Sequence, residues 1–158
     1  MATIDAAVCA ARLKRLMASW NDNAQVWGGA TALLVGSGAN KEDDLRYLKS
    51  VALEIWLFGY EFPDTLVLIT KAGELHVVTG GKKAKLVETV VETVAADAGV
   101  KVVVHNKPKG ENGEAQADAL VECIADGALV GMVAKEASEG ALTAYAAAKI
   151  KAKGFSVV

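Results

Sequence analysis

Apolar positions along this chain switch between two periods. Leu13, Leu16, Met17 and Trp20 fall at i, i+3, i+4 and i+7, the spacing of one helix face. Thr3 and Asp5 ahead of them are residue types that start helices. A polar linker containing Gly28-Gly29 leads to a buried strand expected at 31–35, and the loop from Gly36 to Arg46 carries the acidic cluster Glu42-Asp43-Asp44. Ser50 is then placed to cap a helix over 50–58, made almost wholly of Val51, Ala52, Leu53, Ile55, Trp56, Leu57 and Phe58. So continuous an apolar run predicts a helix buried all round rather than an amphipathic one. With Trp56 inside the core, its truncation to Ala would cost about 3–5 kcal/mol. Gly59 stands where such a helix needs a left-handed exit residue. Pro63 drives Phe62 out of the helical region and sends the chain into Leu66-Val67-Leu68-Ile69.

Residues 65–70 and 74–79 read as a hairpin joined by Lys71-Ala72-Gly73. Leu86, Val87, Val90, Val91, Val94, Ala95 and Ala98 make one stripe, which predicts a single helix over 82–98 stopped by Gly99. Strand and helix patterns then alternate at 100–105, 115–125, 128–134, 139–153 and 155–158, with a polar loop from Asn106 to Gly113. Alternation implies right-handed crossovers and parallel pairing, while the hairpin adds an antiparallel pair. The expected fold is α/β and three-layered: a mixed, mostly parallel sheet of about six strands flanked by helices.

Bulk properties narrow the class. At 158 residues the chain is one domain by size, long enough to bury roughly 70% of its unfolded surface. Its 53% apolar and 23% charged residues describe an ordinary globular protein. No apolar run approaches the roughly 18 residues of a membrane span. Residues 6–11 are too short for a signal-peptide core, and Arg12, Lys14 and Arg15 follow them rather than precede them. An intracellular protein is expected. A net charge of −2 with dispersed Lys and Arg argues against direct DNA binding.

The candidate chemistry is sparse. Cys9 and Cys123 fall beside apolar residues and are expected to be buried free thiols. His76 and His105 sit in strands without a His or Cys at ligand spacing, so structural roles are expected and no metal, cofactor or catalytic residue is assigned. Gly36-Ser37-Gly38 follows a strand, but Lys41 stands where a third glycine is needed and carboxylates follow. Gly80-Gly81-Lys82-Lys83 sits better, at a helix start, and makes Gly81, Lys82 and Lys83 a possible anion site; it lacks the Lys-Ser/Thr pair of a nucleotide-hydrolysing loop. Glu42, Asp43, Asp44 and Glu61, with Asp64, are candidates for holding a basic partner. The plainer expectation is a solvated loop, with Asp64 capping a turn ahead of a strand. Trp27, outside any stripe, is either a packed linker residue or an exposed partner anchor.

One segment is specific enough to carry a resemblance. Lys49-Ser50-x-Ala52-Leu53-x-x-Trp56-Leu57-Phe58-Gly59-Tyr60-Glu61-Phe62-x-Asp64-Thr65 resembles the signature of the large subunit of the FACT histone chaperone (facilitates chromatin transcription), in its amino-terminal lobe. Arg12-Leu13-Lys14-Arg15-Leu16 with Trp20, Ala32-Leu33-Leu34-Val35 and Gly81-Lys82-Lys83-Ala84 agree in order and spacing. The likeness is dense over residues 12–86 and departs at Glu54, where the family more often has an uncharged polar residue. It implies the fold of a creatinase- or prolidase-type amino-terminal lobe, with Lys49, Ser50, Trp56, Gly59, Tyr60 and Asp64 structural. The following pita-bread-like lobe and later domains would lie outside residues 1–158. It also implies a nuclear, chromatin-associated, non-enzymatic module that binds histones (H3–H4 favoured) or chromatin factors during transcription, replication and repair, the small FACT subunit contacting regions outside this chain. Two other readings stand beside it. One is the non-catalytic half of a creatinase/prolidase-like metallopeptidase, and the other is an anion- or nucleotide-binding domain using Gly80–Lys83.

Overall fold

Strand geometry sends successive side chains to opposite faces of a sheet, so an uninterrupted apolar strand must be covered twice. Leu66-Val67-Leu68-Ile69 forms the middle of β2 (Thr65–Thr70), which is buried at every position. Val67 and Ile69 face one apolar cluster, and Leu66 and Leu68 face the other. The computed structural model describes residues 3–38, 49–125, 128–133, 136 and 140–157. Within them, helices α1 (Ala6–Asp22), α2 (Lys49–Phe58), α3 (Gly81–Glu88) and α4 (Val91–Ala98) supply the first layer. Helices α5 (Glu114–Glu122) and α6 (Ala141–Ala152) supply the opposite one.

The remaining strands are β1 (Ala32–Ser37), β3 (Glu74–Gly80), β4 (Lys101–Lys107), β5 (Leu129–Met132) and β6 (Ser156–Val157), in the order β4-β3-β2-β1-β5-β6. The pairs β3–β4, β1–β5 and β5–β6 are parallel, and β2–β3 is the expected antiparallel hairpin. The three-layered mixed sheet therefore stands as expected. One pairing was not anticipated: β1 runs antiparallel to β2 through a full register from Ala32 opposite Thr70 to Ser37 opposite Thr65. Gly36 serves this centre of the sheet, because a Cβ there would run into Thr143 of α6 and Leu66 of β2.

Helix α1 begins as its sequence directs. Asp5 is the N-cap, its carboxylate accepting from the Val8 N–H at 3.2 Å. Trp20 is fully buried, donates its indole N–H to the Ala30 carbonyl at 2.8 Å, and stacks on Trp27 with centroids 4.8 Å apart. Trp27 is thus a packed residue rather than an anchor.

Three expectations need correction. The single helix over 82–98 is two, α3 and α4, because Thr89 turns its hydroxyl onto the Leu86 carbonyl at 2.6 Å and tightens the chain there. Val87, Val90 and Val94 remain buried in one cluster across the break, so the stripe was right although the helix was not continuous. Helix α2 is not buried all round: Glu54 points inward and Ile55 is 45% exposed. Cys123, the C-cap just past α5, is exposed although Leu120 and Val121 before it are buried, whereas Cys9 is buried with its thiol pushed up to about 11 by burial.

The burial pattern ranks two tryptophans. Trp56 is only half-buried, with the Arg12 guanidinium 5.8 Å over its ring, so the cost expected from its truncation falls below that of a core aromatic. Trp20→Ala should lower unfolding free energy by about 3–5 kcal/mol, and Trp56→Ala by clearly less. Urea titrations of the two variants check the order; equal losses would place Trp56 in the core.

Candidate functional site

The signature segment folds as a helix, a tight exit and an entry into β2, and each step is held by a group from elsewhere. At the start of α2, the N–H groups of Lys49 and Ser50 donate to the two carboxylate oxygens of Glu136 at 3.0 and 3.1 Å. The Ser50 hydroxyl also donates to Glu136, at 2.8 Å. A carboxylate at a helix N-terminus satisfies orphan donors and complements the dipole. Ser50 therefore lies inside the helix rather than capping it, and the cap comes from a residue far along the chain. At the other end, the Gly59 N–H donates to the Ile55 carbonyl at 2.8 Å and Gly59 takes φ +83°, the left-handed exit its position implied.

Residues 60–64 are then fastened to the sheet. The Phe62 N–H donates to Glu54 Oε2 at 2.8 Å, and the Ser37 hydroxyl donates to the Phe62 carbonyl at 2.7 Å. Lys83 Nζ donates to the Pro63 carbonyl at 2.6 Å, and the Asp64 N–H donates to the Gly38 carbonyl at 2.9 Å. Asp64 itself sits at φ 52°, a left-handed conformation that Asp tolerates in turns. The Phe62 ring stacks on Phe58, centroids 5.1 Å apart. Tyr60 and Glu61, between these anchors, are exposed.

Glu54 and Lys83 bear the electrostatic cost of this arrangement. Glu54 is 2% exposed and its Oε1 is buried without a hydrogen-bond partner among the described residues. Burial pushes its carboxyl up to about 7, against the pull of Ser37, the Phe62 N–H and Lys83. Burial, then the neighbouring Lys107, lowers the pKa of Lys83, while Asp64 and Glu54 oppose the shift. Of the three residues expected to form an anion site, Gly81 and Lys82 are exposed at the first turn of α3, whose N-cap Gly80 has no side-chain cap. Lys83 is turned away onto Pro63. Glu42, Asp43 and Asp44 lie outside the described residues.

An open cleft of about 210 Å³ runs between the start of α1 and the end of α2, lined by Asp5, Val8, Arg12, Leu57, Phe58 and Tyr60 among others. Arg12 donates to the Trp56 carbonyl. A second polar group escaped the sequence entirely. His76 Nδ1 lies 3.1 Å from His105 Nε2, and His76 Nε2 lies 3.1 Å from Glu74 Oε1. Parallel register brings His105 opposite Val78, one diagonal step from His76 on the same face, a proximity that linear spacing does not display. Burial, then His76, lowers the pKa of His105. Among the described residues no three His, Cys, Asp or Glu side chains converge as a metal site, and no helix is long and apolar enough to cross a membrane.

Comparison with known proteins adds a family. Residues 4–158 match the family described as FACT complex subunit SPT16 N-terminal lobe domain. The chain is 37% identical over 165 residues to the FACT complex subunit SPT16 of Arabidopsis thaliana, covering 99% of this chain but 15% of that protein. Among solved structures, the N-terminal domain of FACT complex subunit SPT16 from Cicer arietinum superposes with a TM-score of 0.89 at 35% identity, over 98% of this chain and 36% of that one. The creatinase/prolidase-like N-terminal domain of a protein described as a metallopeptidase, from Corynebacterium diphtheriae, gives a TM-score of 0.50 at 14% identity over 95% of this chain and 94% of that one, which shows a shared fold.

Two outcomes are expected at the signature segment. The Glu54 carboxyl has its ordinary value of 4.5 in the unfolded chain and is pushed up to about 7 by burial in the folded one. Between these values the folded state keeps a proton that the unfolded state has released, so this stabilising share is whole below the lower value and is lost as pH rises through the upper one. Stability should fall by up to about 3 kcal/mol across that window, and Glu54→Gln should flatten the fall in urea titrations at stepped pH; an unchanged profile would remove Glu54 as its source. A Cβ at Gly59 meets no atom within 4 Å, so the expected loss of about 1–3 kcal/mol on Gly59→Val comes chiefly from backbone strain at positive φ. A neutral melting temperature would contradict the left-handed exit.

Proposed function

Because the chain belongs to the family of FACT complex subunit SPT16 N-terminal lobe domains, we propose that it acts as a non-enzymatic histone-chaperone module. A folded surface would hold basic histone protein that otherwise meets DNA, with no chemical step. The family match along nearly the whole chain carries this proposal. Since the chain spans 15% of the Arabidopsis thaliana relative, we read it as one lobe of a larger assembly. H3–H4 is the favoured cargo, other chromatin factors are further partners, and the small FACT subunit binds regions beyond this lobe. The setting is nuclear and chromatin-associated.

The chemistry of the segment supports a binding role. Gly59 and Phe62 serve helix exit and strand entry, while Tyr60 and Glu61 are left at the surface. Glu61 and the acidic run Glu42-Asp43-Asp44 would attract a basic partner and raise its encounter rate. The alternative of a metallopeptidase's non-catalytic half has only a shared fold at 14% identity in its favour, and fold alone does not carry function.

Titration against H3–H4 tetramers and H2A–H2B dimers at near-physiological salt tests the proposal. Saturable binding to H3–H4 is expected, weakened severalfold when Glu42, Asp43 and Asp44 are changed to Ala and further when Glu61→Ala is added. Binding no stronger than that of a neutral control protein would overturn it.

A further inference from the structure

Strand β4 ends the sheet, and no described strand pairs with its outer edge. In a parallel ladder the N–H and C=O of one residue point to the same neighbour, and those of the next residue point the other way. The Lys101 N–H donates to the Gly73 carbonyl at 2.9 Å, so Lys101, Val103, His105 and Lys107 bond inward to β3. Val102, Val104 and Asn106 therefore direct their N–H and C=O groups outward, and no described residue hydrogen-bonds to them outside the ladder. Exposed edges of soluble proteins are usually blunted by a bulge, a proline or a central charge. The core of β4, Val102-Val103-Val104-His105, has none of these.

Charge narrows what such an edge accepts. Lys101 is exposed at one end, Lys107 and Lys109 stand at the other, and none makes a salt bridge with a described residue. Lys107 is close enough to Lys83 to lower its pKa. Glu74, opposite Lys101, has its carboxylate hydrogen-bonded to His76, and Glu111 is the nearest acid in the loop that follows. We propose that the open edge of β4 captures an extended acidic segment of a partner protein, which adds a strand beside Val102, Val104 and Asn106 and sets its carboxylates against Lys101, Lys107 and Lys109. Main-chain hydrogen bonds supply the affinity and the lysines select the sign of charge. A basic histone segment is the wrong charge for this edge, so the partner here differs from the cargo proposed above.

The probe is a fluorescein-labelled peptide of alternating Glu and Val, with its Lys–Val counterpart as control, read by anisotropy and by amide hydrogen exchange on the 158-residue chain. The Glu–Val peptide should bind, and should slow exchange at Val102, Val104 and Asn106. Val104→Pro removes an outward N–H and leaves the inward ladder intact, as proline on an edge strand can; it should weaken binding roughly tenfold or more. Lys101→Glu with Lys109→Glu, both at exposed positions, should weaken it similarly and keeps the test open should the proline variant misfold. Equal binding of the Lys–Val peptide, protection elsewhere than β4, or no binding would overturn the proposal. So would self-association of the chain that Val104→Pro abolishes, since the edge would then belong to a second copy.

Discussion

The requirement that β2 be covered on both faces organises the rest of the molecule. A strand of Leu66, Val67, Leu68 and Ile69 buried throughout cannot sit at a solvated face, because each exposed apolar side chain would forgo on the order of 1.5–3 kcal/mol of burial. Among the described residues six helices meet the demand, four on one side and two on the other. The central position of β2 and β1 follows from it, as does the exile of β4 to an edge, where its even-numbered backbone groups face outward. The strand that must be hidden and the strand left open are thus two results of one packing problem.

At the polar end of the same sheet, a second constraint competes with the first. The chain leaving α2 must turn sharply into β2, and the turn brings the Phe62 N–H and C=O into the interior. Buried backbone groups need partners, and Glu54 and Ser37 provide them. That need rotates α2 so that a glutamate faces inward while Ile55 faces solvent. Hydrophobicity alone would have chosen the opposite orientation. The burial strains the ionisation of Glu54 and Lys83 rather than the backbone, and the surface it leaves uncovered holds Tyr60, Glu61 and the cleft beside Arg12.

With a creatinase/prolidase-like domain, at 14% identity, this chain shares a fold. What is shared is the layer arrangement. What this chain places on it is a segment fastened for rigidity, with its charged and aromatic tips outward.

Much of this was legible in the residues. The period of Leu13, Leu16, Met17 and Trp20, the apolar run of β2, the hairpin turn and the glycine exit at residue 59 each depend on local stereochemistry, which a linear pattern records. So does the signature segment itself, whose length and composition are specific. The break at Thr89, the inward Glu54, the Glu136 cap of α2, the antiparallel β1–β2 pair and the contact of His76 with His105 were not legible. The break turns on the local bond from the Thr89 hydroxyl to the Leu86 carbonyl, and each of the others depends on a partner distant in sequence: an unpaired N–H presented by another element, or a register between strands. The sequence by itself determined which segments are helix or strand and which strand had to be buried. Only the tertiary structure decided which polar groups met inside and which edge stayed open, because those outcomes rest on satisfying hydrogen bonds between elements rather than on any residue's own preference.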